Sequence, residues 1–238
     1  MSKRLEICVG SWKSAMAAQI GGADRIELCD NLAEGGTTPS YGMLVQSKKL
    51  LQIPFFPIIR PRGGDFIFSK DEFEIMKEDV ICCKEIGCEG IVIGALRKNG
   101  SIDTERCSEL IALAGTMQIT FHRAFDRCDD LGRGLEDLIQ LGCHRVLTSG
   151  GKEYAIEGIE ILHSLVNQAG SRIIVMPGSG INELNLHEII KETAALEFHT
   201  TAKKMIEYDI DPINGEPYRA LETSVETVIK LKEILSLV

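Results

Sequence analysis

Short apolar runs recur along the chain, each followed by a Gly-rich or polar turn and then a longer stretch with helical spacing. The runs are Leu5–Val9, Arg25–Cys29, Phe55–Arg60, Gly90–Ala95, Gln118–Arg123, His144–Ser149, Arg172–Met176 and Ala195–Thr200. The intervals between them each hold one strand plus the helix needed to return the chain for a parallel pairing. Phe73, Met76, Val80 and Cys83 fall at helical spacing, as do Val225, Val228, Leu231 and Leu235. Two junctions read alike, Ile86-Gly87-Cys88 and Leu141-Gly142-Cys143, with a glycine ending a helix shortly before a strand begins.

Alternating βα units of this number predict an α/β fold, a single (β/α)8 TIM barrel occupying residues 1–238. A doubly wound open sheet is the competing architecture, and it carries a nucleotide loop after its first strand. Here Gly10-Ser11-Trp12 follows that strand, and the chain has no G-x-G-x-x-G or P-loop, so no nucleotide cofactor motif is present. Residues 203–223 break the rhythm with Asp211-Pro212, Asn214-Gly215 and Glu216-Pro217. They read as a long loop before the last helix, serving as a lid or an oligomer contact.

Charge narrows the function. The 26 Lys and Arg against 35 Asp and Glu give a formal charge of −9, without a basic run, which argues against nucleic acid as a partner. The chain enters a strand-like run at once, and no apolar stretch reaches membrane-spanning length, so the expectation is a soluble, cytoplasmic protein with no membrane partner. The 8 cysteines show no Cys-x-x-Cys pair and are expected to be free thiols in a reducing compartment.

The candidate chemistry lies at the C-terminal ends of the strands, the working face of such a barrel. Strands buried on both faces are expected to carry fixed charge only where they leave the core. Strand one ends with Glu6 and Cys8, strand two with Glu27 and Cys29, each pair two residues apart and on one face. Strand three runs into Arg60 and Arg62, also two apart, followed by Gly63, Gly64 and Asp65. Strand five leads to His122, strand six to Ser149, Gly150 and Gly151, strand seven to Gly178, Ser179 and Gly180, and strand eight to His199.

Three chemistries compete for this mouth. Anion capture would use Ser149-Gly150 and Gly178-Ser179-Gly180 as turns, with Asn182 as a helix N-cap and the arginines opposite, taking a small anionic ligand. Acid–base or metal-assisted catalysis would use Glu6, Glu27, His122 and His199. The plainer alternative for these groups is a buried ion-pair network, for example Glu27 with Arg60. Soft-metal binding would use Cys8 and Cys29, since two sulfurs suffice for Cu(I), whereas zinc would want two more ligands. The plainer alternative there is packing of two small residues. Schiff-base chemistry is disfavoured because Lys152, Lys203 and Lys204 lie in loops. His144, His163 and His187 fall away from the mouth and receive no role.

Several stretches, including Leu5–Val9, Gly22–Cys29, Glu34–Ser40, Ile59–Phe66, Thr120–Asp126 and Arg145–Gly150, resemble the CutC family of copper homeostasis proteins over roughly residues 3–200. The resemblance implies a (β/α)8 barrel, a cytoplasmic location, homodimers or larger homo-oligomers, and a role in copper handling with Cu(I) as ligand. Cys8 and Cys29 match the family's strand-one and strand-two motifs. Where the family reads Val-Asp-Ser after strand one, this chain has Val9-Gly10-Ser11, which removes a carboxylate from the mouth. Three functions are carried forward, the first two being a copper homeostasis protein binding Cu(I) at Cys8 and Cys29, and an enzyme acting on a small phosphate- or carboxylate-bearing substrate, with the cysteines only packing. A non-catalytic sensor is the third.

Overall fold

A computed structural model describes residues 3–208 and 218–237. Eight parallel strands alternate with eight helices: β1 (Arg4–Val9), α1 (Trp12–Ile20), β2 (Arg25–Leu28), α2 (Tyr41–Leu50), β3 (Phe55–Pro57), α3 (Lys70–Ile86), β4 (Gly90–Ile93), α4 (Thr104–Ala114), β5 (Gln118–Phe121), α5 (Leu131–Gln140), β6 (Arg145–Thr148), α6 (Ile159–Ala169), β7 (Ile174–Pro177), α7 (Leu186–Thr193) and β8 (Glu197–Thr200), with α8 (Val225–Leu237) closing the series. Hydrogen bonding runs in the orders β3-β2-β1-β8 and β4-β5-β6-β7. Single parallel bridges, Ile58 to Val92 and Gly178 to His199, join the two halves and close a (β/α)8 barrel. All eight predicted strands are present, most of them shorter than read: β3, β4 and β5 at their C-terminal ends, β7 and β8 at their N-terminal ends.

The helices form for local reasons the sequence states. In α3 the Ser69 hydroxyl accepts from the Glu72 N–H while Glu72 accepts from the Ser69 N–H, a reciprocal cap. Phe73, Met76, Val80 and Cys83 turn inward from α3, and burying each of the larger apolar side chains stabilises the fold by roughly 1.5–3 kcal/mol. Gly87, at φ 84°, ends the helix in the left-handed conformation. No helix among the described residues is long and apolar enough to cross a membrane.

The expected loop at 203–223 is a correction. Its described residues form an antiparallel ribbon, β9 (Lys203–Glu207) paired with β10 (Arg219–Thr223). Both strands are largely exposed, so no alternation of apolar and polar positions announces them. The Glu222 carboxylate fastens the ribbon to the start of α1 by accepting from the hydroxyls of Ser11 and Ser14, and Tyr208 Oη donates to it at 3.1 Å. Asp211-Pro212, Asn214-Gly215 and Glu216-Pro217 lie outside the described residues.

The barrel interior overturns the expectation that charge sits only at strand exits. Arg25, Arg145 and Glu197 open β2, β6 and β8, and all three are buried with Glu6. Arg25 pairs through Nε with Glu6 and through Nη2 with Glu197 at 2.6 Å, and Arg145 Nε meets Glu197 at 3.2 Å. Both guanidiniums lie over the Phe56 ring, at 5.1 and 5.3 Å from its centroid. Charge is tolerated here because it is compensated in place. Removing one partner leaves the others exposed to the full cost of burial. Arg25→Met is therefore expected to lower unfolding free energy by about 3–5 kcal/mol. Urea denaturation at neutral pH checks this, and a loss below 1 kcal/mol, about the value of an exposed pair, would show the network is not a structural requirement.

Candidate functional site

A cavity of about 1080 Å³ opens at the C-terminal ends of the strands, and Cys8, Glu27, Arg60, His122 and His199 line it. Parallel register sets Cys8 of β1 opposite Glu27 of β2, and strand alternation returns Cys29 to the same face two residues on. The two sulfurs lie 3.6 Å apart, both buried as free thiols. Ligand atoms of Cys8, Glu27 and Cys29 all fall within 4.8 Å of one another. Leu32, Ile58 and Val92 pack with the two cysteines in one small apolar cluster.

His199 ties this cluster to the charged floor. Its Nδ1 lies 2.8 Å from Glu6 Oε1, and its Nε2 lies 3.5 Å from Glu27 Oε2. Burial alone would lower the imidazole pKa, but Cys8 and the two carboxylates overcome this and hold it well above its usual value. Burial likewise opposes ionisation of Glu6, yet Arg25 and His199 hold its carboxyl well below the ordinary range. Glu27 goes the other way: burial raises it more than His199 lowers it. Cys29 is lowered by its hydrogen bond with Cys8, but burial and the neighbouring carboxylates win and push it up to about 11. The sequence suggestion of a Glu27–Arg60 pair is not what forms. Glu27 faces His199, and Arg60 is engaged elsewhere.

Arg60 clamps loops together. Its Nη1 donates to the carbonyls of Glu34 and Gly36 at 2.7 and 2.8 Å, and its Nη2 to the carbonyl of Gly64 at 2.8 Å. Its guanidinium lies 4.8 Å from the centroid of the Phe66 ring. The His122 ring is 5.0 Å from that same centroid, and its Nδ1 accepts from the Ala124 N–H at 3.1 Å. A neutral His122 therefore carries its proton on Nε2. Burial, helped by the charge of Arg60, lowers its pKa to about 3. Room for this ring exists because position 94 is glycine: a Cβ there would lie 2.3 Å from His122 Cε1.

Three sequence expectations fail on geometry. Arg62 does not join Arg60 at the mouth. β3 ends at Pro57 and the backbone bends, so spacing of two no longer means one face. Arg62 instead bonds Glu72 at 2.5 Å and Asp65 at 3.0 Å, holding the loop before α3. The turn at Ser149 and Gly150 is not an open anion site either. Asp126 fills it, accepting from the N–H groups of Ser149 and Gly151 at 3.0 Å each and from Thr148 Oγ1 at 2.5 Å. Gly178 N–H donates to the Thr148 carbonyl, and Ser179 Oγ to the Glu153 carbonyl at 2.7 Å. Gly180 lines the cavity at φ 69° under the Tyr154 ring. Asn182 is not an N-cap, for α7 begins only at Leu186; its Oδ1 accepts from the Leu184 N–H at 2.9 Å.

Phe66 and Asp126 are the residues that sequence reading missed. Both sit inside quoted motifs, but their roles depend on partners in other stretches, His122 for Phe66 and the Ser149–Gly151 turn for Asp126, so no local spacing signals them.

Comparison with known proteins adds the family. The CutC family model matches residues 3–204. A family protein CutC from Xylella fastidiosa (strain 9a5c) is 48% identical over 243 residues, covering 99% of this chain and 90% of that one. The human copper homeostasis protein cutC homolog is 50% identical over 199 residues, covering 84% of this chain and 73% of that one. A solved CutC structure from Streptococcus agalactiae superposes with a TM-score of 0.80 at 35% identity, covering 84% of this chain and 98% of that one. Phosphoribosylanthranilate isomerase from Thermotoga maritima, at 11% identity and a TM-score of 0.60, shares the fold alone; the match covers 99% of this chain and 100% of that one. The chain belongs to the CutC family.

The His122 environment sets an acid limb of stability. With a folded pKa of about 3 against an ordinary 6.5, the unfolded chain binds the extra proton across that interval. Stability contributed by neutral His122 is therefore full above about pH 6.5 and is lost as pH falls toward 3. Urea melts at a series of pH values should show a shallower acid slope for His122→Phe than for wild type. Parallel slopes would mean the imidazole is not desolvated.

Proposed function

We propose that this CutC-family chain is a cytoplasmic copper homeostasis protein that binds Cu(I) between Cys8 and Cys29 at the base of the barrel mouth. One observation carries the reading: two buried thiols 3.6 Å apart converge with the Glu27 carboxylate in a single cluster. Thiolate sulfur is a soft donor, suited to Cu(I). Binding would release one proton from each thiol, replacing two protons by one monovalent cation. The added negative charge would lie beside His199, whose elevated pKa favours the imidazolium. The name carried by the human relative supports a copper-related role. The unpaired state of all 8 cysteines suits a reducing compartment. Self-association into dimers or larger assemblies belongs to the same reading.

The size of the cavity favours a second reading. A volume of about 1080 Å³ is far more than an ion needs and suits a small organic molecule. In that reading the chain binds or transforms a small anionic ligand and the cysteines serve as packing.

Anaerobic titration of the reduced protein with Cu(I) against a competing chelator separates the two. Wild type is expected to bind one ion, with Cys8→Ser or Cys29→Ser each weakening it by about a hundredfold or more. Glu27→Gln is expected to cost less than either, since an oxygen is the poorer donor for this ion. Equal affinity in wild type and both serine variants, with circular dichroism unchanged, would reject the copper site.

A further inference from the structure

Arg60 is 3% exposed, and among the described residues it makes no ion pair. Its terminal nitrogens are spent on three backbone carbonyls, which satisfy hydrogen bonds but bring no negative charge. Its Nε is a buried donor without a partner, and so is His122 Nε2, itself in a residue 3% exposed. Buried donors of this kind cost the full desolvation of the group when left unpaired. Both side chains line the cavity, and both lie against one ring, Phe66, at 4.8 and 5.0 Å. A fixed positive charge and two unpaired, buried N–H donors thus lie against one aromatic ring in the wall of the cavity.

We propose that Arg60 Nε and His122 Nε2 form a subsite for the carboxylate of a small organic acid whose carbon body rests on Phe66. This deepens the small-ligand reading above and rests on it, and it uses none of the ligand atoms of the thiol cluster. A carboxylate matches the donors: it offers two oxygens in one plane and one negative charge to balance one guanidinium. His122 suits the role because it stays neutral and keeps the Nε2 proton across the working pH range. Exposed Lys98, Arg127, Lys203 and Lys204 line the same cavity, giving an otherwise acidic protein a cationic approach and a place for a second carboxylate. Of the carboxylates that line it, Glu34 and Asp65 are exposed and screened by water, Glu183 is half-buried, Asp126 is held in the Ser149–Gly151 turn, and Glu27 faces His199.

Calorimetric titration of the copper-free protein with malonate, succinate and inorganic phosphate tests the subsite. The expected result is that a dicarboxylate binds wild type more tightly than phosphate does. His122→Phe, which keeps a flat ring against Gly94 but removes the donor, should weaken that binding by about tenfold or more. His122→Gln, which restores an N–H, should recover it to within about threefold. Cu(I) titration of the same variants should match wild type, showing an intact fold. If His122→Phe binds the dicarboxylate as wild type does, the small-ligand reading stands and the subsite is wrong. If wild type prefers phosphate, the carboxylate assignment is overturned. If wild type binds none of the probes, the small-ligand reading fails and the subsite with it.

Discussion

The barrel closes around charge, and the rest of the molecule depends on how that charge is compensated. Glu6 is the pivot. One of its oxygens pairs with Arg25 at the floor, and the other meets His199, which in turn faces Glu27 beside the thiols. A single carboxylate therefore links the N-terminal end of the barrel to the chemistry at its C-terminal mouth. In a dry interior such a chain holds only if every member is satisfied. Orientation of the imidazole beside the thiols is then set by the floor and not by the loops.

Much of this was legible in the sequence, and the exceptions have a common cause. Strand positions could be read from short apolar runs because parallel strands buried on both faces must be apolar along most of their length. The Glu6–Cys8 and Glu27–Cys29 pairs could be read because strand alternation fixes which residues share a face. Failures came wherever a distant partner decides. Arg62 sits two residues from Arg60, but its direction is fixed by Glu72. The Ser149–Gly151 turn has the composition of an anion site, but Asp126, more than 20 residues earlier, fills it. Arg25, Arg145 and Glu197 looked improbable as interior residues one at a time; together they form a compensated set.

The mouth offers two walls with different preferences. Cys8, Glu27 and Cys29 present soft sulfur and a carboxylate, a surface for a cation. Arg60 and His122 line the same cavity with buried donors that have no partner, Nε of the one and Nε2 of the other. Arg60 is kept from pairing with Glu27 by its use as a clamp on the loops after β2 and β3. Because that clamp is made with carbonyls, the positive and negative sides of the mouth stay separate instead of cancelling each other. A metal and an organic anion are thus not rivals for the same atoms.

The space beneath His122 has an evolutionary consequence. Its ring occupies volume that position 94 gives up by having no side chain, and a Cβ there would strike the ring. Positions 94 and 122 directly follow the neighbouring strands β4 and β5, so their allowed sizes are traded against each other where the two strands leave the ladder. A lineage that gains bulk at 94 must first lose the imidazole. One that keeps the imidazole holds 94 at glycine, whatever becomes of the surrounding loops.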